Sequence, residues 1–345
     1  MKTVKDILSL FRVIGIKEFI NLTRSIKQNT GYFRGFFVSS CIGTLLKTPF
    51  FEELLANGRI DLNEFCKKNN YDIYFLKAIC DYLLSLNLLD LDGNMYKMKK
   101  SFRIAHSIGG YQFINAYYSV FENLADLLSK QKQYGVEVNR DIKYVTIGSA
   151  ETEKIIPYPY AKRLIEKYKC KSVLDLGCGN GEFLIYLSDV LSEKSYGIDI
   201  SNTAVQEAIN NIAKHHLSER IYVFQSDIMK LSDEIRVKAD ALTLLYLLHE
   251  LVEQENNTGE IIKLLKSLRT FFPDSKLIVL EACKYGIPFL RKTKSFLLEH
   301  HLFHRVSKQT LLPFEDWKNI FLKSGYKILE AIELRIVGQG FFVLE

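Results

Sequence analysis

The chain has no apolar run of about 18 residues, the length a helix needs to cross a bilayer. Its N-terminus has no apolar core of the kind a secretion signal carries. It has no run of five or six like charges, and the net charge of +6 is spread along its length. That excludes a basic nucleic-acid tail or a membrane-binding patch. The six cysteines (Cys41, Cys66, Cys80, Cys170, Cys178, Cys283) contain no C-x-x-C pair and no disulfide-scaffold spacing. Most sit among apolar neighbours and read as small core residues. The cytoplasm is the expected location. What is there is globular: 345 residues, 48% hydrophobic and 25% charged, longer than one typical domain.

The most informative stretch is Asp175-Leu176-Gly177-Cys178-Gly179-Asn180-Gly181. It follows the apolar pair Val173-Leu174, which reads as a buried strand, and runs into Glu182–Leu187 with helical apolar spacing. Three glycines at alternate positions let the backbone turn tightly and let a ligand approach closely. A second strand, Ser195–Asp199, ends in an acid about twenty residues past the first glycine, where a ribose-hydroxyl acceptor belongs in a doubly wound sheet. A third, Ile221–Gln225, leads to Ser226-Asp227-Ile228, where a carboxylate can accept from an adenine amine.

From about Ile156 to the C-terminus these elements resemble a class I S-adenosylmethionine-dependent methyltransferase. The resemblance implies a Rossmann-like, seven-stranded α/β sheet with S-adenosylmethionine as cofactor. Gly177, Gly179 and Gly181 would line its methionine and ribose side. Asp199 would hold the ribose hydroxyls and Asp227 the adenine, with Ile200 and Ile228 also among the cofactor-binding residues. Asp175 would order the loop or meet the ammonium group.

The first half has a different character. Residues 1–34 read as one or two amphipathic helices, and Gly35–Leu55 as a long helix broken near Pro49. A short helix is expected from Ile60 and a third from Tyr71-Asp72. Two alternating runs around Asp92-Gly93 then make a hairpin. Three helices and a hairpin imply a winged helix. The third helix, Asp72–Asp81, has one lysine against two aspartates and no arginine, too little cation for reading DNA. The pattern is similar to the dimerisation domain of small-molecule methyltransferases. The expected organisation is residues 1–110 as this domain, 111–155 as a helical linker over an acceptor pocket, and 156–345 as the methyltransferase domain. The partners expected are a small-molecule acceptor in specialised metabolism and a second copy of the chain, with no nucleic acid and no membrane.

A fourth strand, Ala239–Tyr246, ends in Leu247-Leu248-His249-Glu250. Ligands of open α/β sheets sit beyond the carboxyl ends of the strands, which puts His249 near the site of methyl transfer. Small-molecule O-methyltransferases carry an L-x-H-[DE] motif here that supplies a general base, and an imidazole suits that work near neutrality. The segment Glu299-His300-His301-Leu302-Phe303-His304 opens a second reading, since His300 and His304 share one helix face. With His249, one or two of these histidines would form a partial metal site for zinc or iron, on which an α-keto acid could chelate as its enolate. This resembles the C-methyltransferases acting on phenylpyruvate and 2-ketoarginine. His304 matches their second ligand, and upstream His300 and His301 both remain open. The phenylpyruvate enzymes have a methionine where this chain has Tyr246. Arg140 in the linker is the candidate for holding a substrate carboxylate. A SAM-responsive DNA-binding protein and a SAM-cyclising or SAM-cleaving enzyme are the remaining readings.

Overall fold

The computed structural model describes residues 2–102, 104–230, 237–252 and 257–345. The chain divides into two compact units, Met1–Asn115 and Ala116–Glu345.

In the first unit α1 covers Lys2–Leu45 as 44 residues, interrupted at Gly15 by a left-handed, non-helical backbone. Residues 1–34 are thus continuous with the helix expected from Gly35, with a kink at Gly15; the break expected near Pro49 separates α1 from α2. Among the described residues of α1, those at its C-terminal end reach a core, where Ile42 and Leu45 pack with Phe50 and Leu54 of α2 (Phe50–Asn57). Ile60 and Asp61 form a short strand, β1, which corrects the expected helix start. Helix α3 (Leu62–Asn69) begins one step later, because the Asp61 carboxylate accepts from the Asn63 and Glu64 amides at 2.8 and 3.1 Å. Asp72 caps α4 (Ile73–Ser85) in the same way. Strands β2 (Leu89–Asp92) and β3 (Met95–Met98) form the hairpin, and β1 joins as the third strand in the order β1-β3-β2. Helix α5 (Ile108–Glu122) then crosses the division between the units. Gly43 is required where α1 meets α5, since a Cβ there would lie 2.7 Å from Asn115 Oδ1.

The second unit begins with the rest of α5, α6 (Leu124–Leu128) and α7 (Ile142–Glu153). Pro157, at the first position of α8 (Pro157–Lys167), uses a site where a missing amide costs nothing. The sheet follows: β4 (Val173–Leu176), α9 (Glu182–Leu187), β5 (Ser195–Asp199), α10 (Asn202–Lys214), β6 (Ile221–Gln225), β7 (Ala241–Leu245), α11 (Gly259–Phe271) and β8 (Lys276–Ala282). It closes with α12 (Ile287–Leu290), α13 (Leu297–Val306), α14 (Phe314–Lys323), β9 (Ile328–Leu334) and β10 (Gln339–Leu344). The seven strands lie in the order β6-β5-β4-β7-β8-β10-β9. The first five are parallel, and β10 is antiparallel to both its neighbours.

Every residue of β4 is buried, as expected of a parallel strand covered on both faces. Alternate residues feed two cores. Leu174, Leu242 and Val279 pack on one side with Trp317 and Phe321, and Val173, Ala241 and Ile278 on the other with Phe183 and Leu184. The chain runs outward from β4 to β6 and returns to β7 on the other side of β4. That reversal makes the crevice beyond β4 and β7 the ligand position of such a sheet. This is the seven-stranded class I methyltransferase fold.

Candidate active site

The glycine loop leaves β4 with Gly177, Gly179 and Gly181 all at positive φ (82°, 53° and 78°). The Gly177 and Cys178 amides donate to the Ile198 carbonyl at 2.8 and 2.9 Å, pinning the loop to the end of β5. Gly181 also lies under α10, where a Cβ would come within 3.2 Å of Ala208 Cβ. Asp199 ends β5 beside this loop. Its Oδ2 accepts from the Gly179 amide at 3.0 Å and its Oδ1 from the Ser201 amide at 2.8 Å. Next to it Ile200 projects an exposed side chain, and past β6 the Asp227 carboxylate accepts from the Met229 amide at 2.9 Å beside half-buried Ile228. Asp175 faces the other way. It is buried against Thr243 of β7, whose hydroxyl donates at 2.6 Å, so it ties the loop's root to the neighbouring strand. Burial pushes its carboxyl up to about 7.

At the far end of β7 the chain turns sharply. Tyr246 sits in the left-handed region at φ 54°, rare for a bulky residue, with its amide donating to the Leu280 carbonyl at 2.8 Å. A tight turn over Leu248–Leu251 follows, carrying His249 and Glu250. His249 is buried, and its Nδ1 meets Glu281 Oε2 at 2.8 Å. Glu281, on β8, has no solvent exposure, and its other oxygen accepts from the Leu248 amide at 2.6 Å. This carboxylate therefore fixes both the turn and the imidazole, while His249 Nε2 faces Glu250 Oε1 at 3.7 Å. Burial alone would lower the His249 pKa, but the charge and hydrogen bond of Glu281, with Glu250 nearby, outweigh it and raise it.

Opposite stands α13. The His304 ring lies 5.2 Å from that of His249 and 4.2 Å from that of His300. His304 Nδ1 is hydrogen-bonded to the His300 carbonyl at 2.8 Å, and His300 Nδ1 is buried without a partner. Burial, with the His249 charge opposite, pushes His304 down to about 3, and burial drives His300 well below its ordinary value. Burial thus favours the neutral imidazole in both. His301 turns away, accepting from the Tyr285 amide at 3.0 Å while its other nitrogen meets the Leu297 carbonyl at 2.9 Å. Among the described residues no three His, Cys, Asp or Glu side chains are arranged to hold a metal ion.

A polar network closes this space. Arg140 Nη2 donates to Glu250 Oε1 at 3.0 Å and Nη1 to Gln309 Oε1 at 2.7 Å. Gln309 donates in turn to Glu250, and Ser307 donates to Gln309 at 2.8 Å. Tyr117 joins through Ser307 at 3.3 Å, and its ring stacks on Phe303 at 4.5 Å. Arg140 thus already spends its fork on Glu250 and Gln309. The sequence did not mark Glu281 or Gln309. A lone acid closing an apolar strand was the one visible trace of Glu281.

Residues 167–300 match the family described as a methyltransferase domain. The chain carries a methyltransferase domain. It is 23% identical over 311 residues to the 2-ketoarginine methyltransferase of Streptomyces arginensis, covering 86% of this chain and 87% of that one. In fold it is similar to mitomycin 7-O-methyltransferase (TM-score 0.68, 13% identity, 95% of this chain and 99% of that one). It is likewise similar to human N-acetylserotonin methyltransferase, solved with S-adenosylmethionine (TM-score 0.66, 15% identity, 93% and 97%). The enzyme is an S-adenosylmethionine-dependent methyltransferase. No helix among the described residues is long and apolar enough to cross a membrane.

Proposed function

We propose that this methyltransferase acts on an acceptor with an ionisable proton, and that the acceptor is an α-keto acid methylated at carbon. The observation that carries the reading is the buried face formed by His249, held by Glu281, and the neutral imidazoles of His300 and His304. In this reading the α-carbon gives up its proton to solvent, its acidity raised by chelation; His249 Nε2 is the base only in the second reading, for a hydroxyl proton. The resulting enolate carbon attacks the methyl carbon in line, and S-adenosylhomocysteine leaves. Gly177, Gly179 and Gly181 with Asp199, Ile200, Asp227 and Ile228 hold the cofactor, and Glu250 and Arg140 orient the acceptor's polar end. Arg140 meets a substrate carboxylate by exchanging it for Glu250.

The residues suit a metal as a two-histidine set. Nδ1 of His249 and of His304 are both engaged, which leaves Nε2 of each as donor, and a carboxylate stands behind His249. A zinc or iron ion there would act as a Lewis acid toward a chelated keto acid. The similarity to a 2-ketoarginine enzyme supports this choice. The second reading is O-methylation, favoured by the His249–Glu281 pair, which suffices as a base without metal. Elemental analysis of purified protein, beside turnover of 2-oxo acids and of phenols, decides between them. A metal lost in His249→Ala and in His304→Ala, with 2-oxo acid turnover, is expected. A metal-free enzyme that methylates hydroxyl groups would overturn the C-methylation reading.

We also propose a homodimer, with α1 as the seam. Tyr32, Phe33, Phe36 and Phe37 of that helix are all more than half exposed, a continuous aromatic face that a second copy would cover. Light scattering on wild type and on Phe33→Asp/Phe36→Asp should find a dimer and a monomer. A monomeric wild type at micromolar concentration would refute it.

A further inference from the structure

Helices α11 and α14 lie side by side, with Leu265 and Leu268 of the first and Ile320 and Phe321 of the second in one core. They lead into β8 and β9, which run parallel to each other because β10 is antiparallel to both. Both helices therefore end at the amino edge of the sheet, whereas His249 and Glu281 stand at the carboxyl edge. Between the two helix ends lies a cavity of about 580 Å³. Lys266, Arg269 and Thr270 wall it on the α11 side, and Lys323, Ser324 and Gly325 on the α14 side. Arg269 reaches across the gap: a Cβ on Gly325 would stand 2.6 Å from its Nη1. Gly325, at φ 85°, closes α14 and leaves room for that guanidinium.

Each helix neutralises its earlier lysine and leaves the later cations unpaired. Lys263 pairs with Glu260 at 3.7 Å, and Lys318 with Glu315 at 2.8 Å. Among the described residues no carboxylate pairs with Lys266, Arg269 or Lys323. Asp274, the nearest acid along the chain, is exposed and outside the lining. Cations in a last helical turn often serve its free carbonyls, but here those carbonyls are occupied. The Leu268 carbonyl accepts from the Phe272 amide at 2.9 Å, Phe321 from Tyr326 at 3.1 Å and Leu322 from Gly325 at 3.0 Å. The Thr270 and Ser324 hydroxyls donate to the Lys266 and Ile320 carbonyls at 3.0 and 2.8 Å.

Three converging cations without a counter-charge favour an anion. The guanidinium fork matches two oxygens of a tetrahedral anion, and the lysines act as point charges on the others. A carboxylate carries one charge and would engage the fork alone, whereas a dianion engages the lysines as well. The apolar lining is Pro273, and no aromatic ring among the described lining residues offers a base a stacking surface. We propose that this cavity binds a phosphate dianion, free or as the phosphoryl group of a small metabolite, at a site separate from methyl transfer.

The test is calorimetric titration of the full chain with inorganic phosphate, at constant ionic strength and with S-adenosylhomocysteine present to keep the reaction centre filled. Wild type should bind about one phosphate per chain, with a Kd of about 1 mM or below. Arg269→Gln and Lys323→Gln should each weaken binding by about tenfold. Lys263→Gln and Lys318→Gln remove a cation from the same helices outside the cavity and should leave it unaltered. Phosphate should also raise the melting temperature of wild type but not of Arg269→Gln. Tighter binding of glycerol 3-phosphate than of inorganic phosphate would assign the site to a phosphorylated metabolite, and the reverse order to free phosphate. Heats that do not saturate by about 10 mM phosphate would overturn the proposal. So would unaltered binding in Arg269→Gln, or equal weakening in all four variants, which is the signature of a diffuse surface field.

Discussion

His249 shows how one buried contact sets reactivity. Its imidazole is enclosed, which opposes protonation, yet Glu281 at 2.8 Å reverses the balance. Replacing Glu281 by Gln keeps an acceptor for the Leu248 amide and removes the charge. The His249 pKa should then fall, moving the acidic limb of the kcat/KM profile to lower pH. Turnover should drop by about 10–100-fold. A lower rate with an unmoved limb would reduce Glu281 to a packing role. Gly181 is constrained differently, by φ 78° and by Ala208 Cβ 3.2 Å from where its own Cβ would stand. Gly181→Ala should lower stability by about 1–3 kcal/mol and weaken cofactor binding, read by thermal melts with and without S-adenosylhomocysteine.

Helix α13 does two jobs with adjacent residues. His301 ties the helix to the segment after β8 through the Tyr285 amide, and His304 turns its ring to His249. The variants His301→Ala and His304→Ala should therefore separate. The first leaves a buried amide without an acceptor and should cost about 1–3 kcal/mol in denaturant melts. The second should lower turnover much more than stability. Equal losses of both quantities in both variants would contradict this division. The histidine spacing was legible in sequence, because i and i+4 must share a helix face. The roles of His300 and His301 were not, since helical phase alone does not say which face meets β7.

Across the whole molecule, groups of opposite sense set the pH dependence of stability. Glu153 and Asp175 titrate higher when folded, at about 8 and 7, against ordinary values of 4.5 and 3.8. His304 titrates lower, at about 3 against 6.5, and His300 follows it. Below about pH 4.5 the carboxyls are protonated in both states, and only the unfolded chain protonates these histidines. Stability should fall as the pH drops toward 3. Above about 6.5 the histidines are neutral in both states, and the unfolded chain alone ionises the carboxyls. Stability should then fall as the pH rises through 7 to 8, and the raised pKa of His249 adds to that loss. Between these limits the two pairs oppose each other. Melting of the cofactor-free protein should therefore peak at about pH 4.5–6.5. A melting temperature still climbing between pH 6.5 and 8 would refute the carboxyl assignment.

The sequence by itself determined the order of strands and helices around the glycine loop, and with it the fold and the cofactor. Local rules suffice there, because a strand ending in an acid, three glycines and a helix each declare themselves within a few residues. It also placed His249 and Glu250 correctly at the end of β7, since strand ends and ligand crevices coincide in open α/β sheets. Only the tertiary structure decided what stands behind and beside them. Glu281 lies 32 positions from His249, Gln309 lies 169 from Arg140, and Thr243 lies 68 from Asp175. These partners meet because parallel strands bring distant carboxyl ends to one edge and α13 folds over them, a pairing across space that no local spacing encodes.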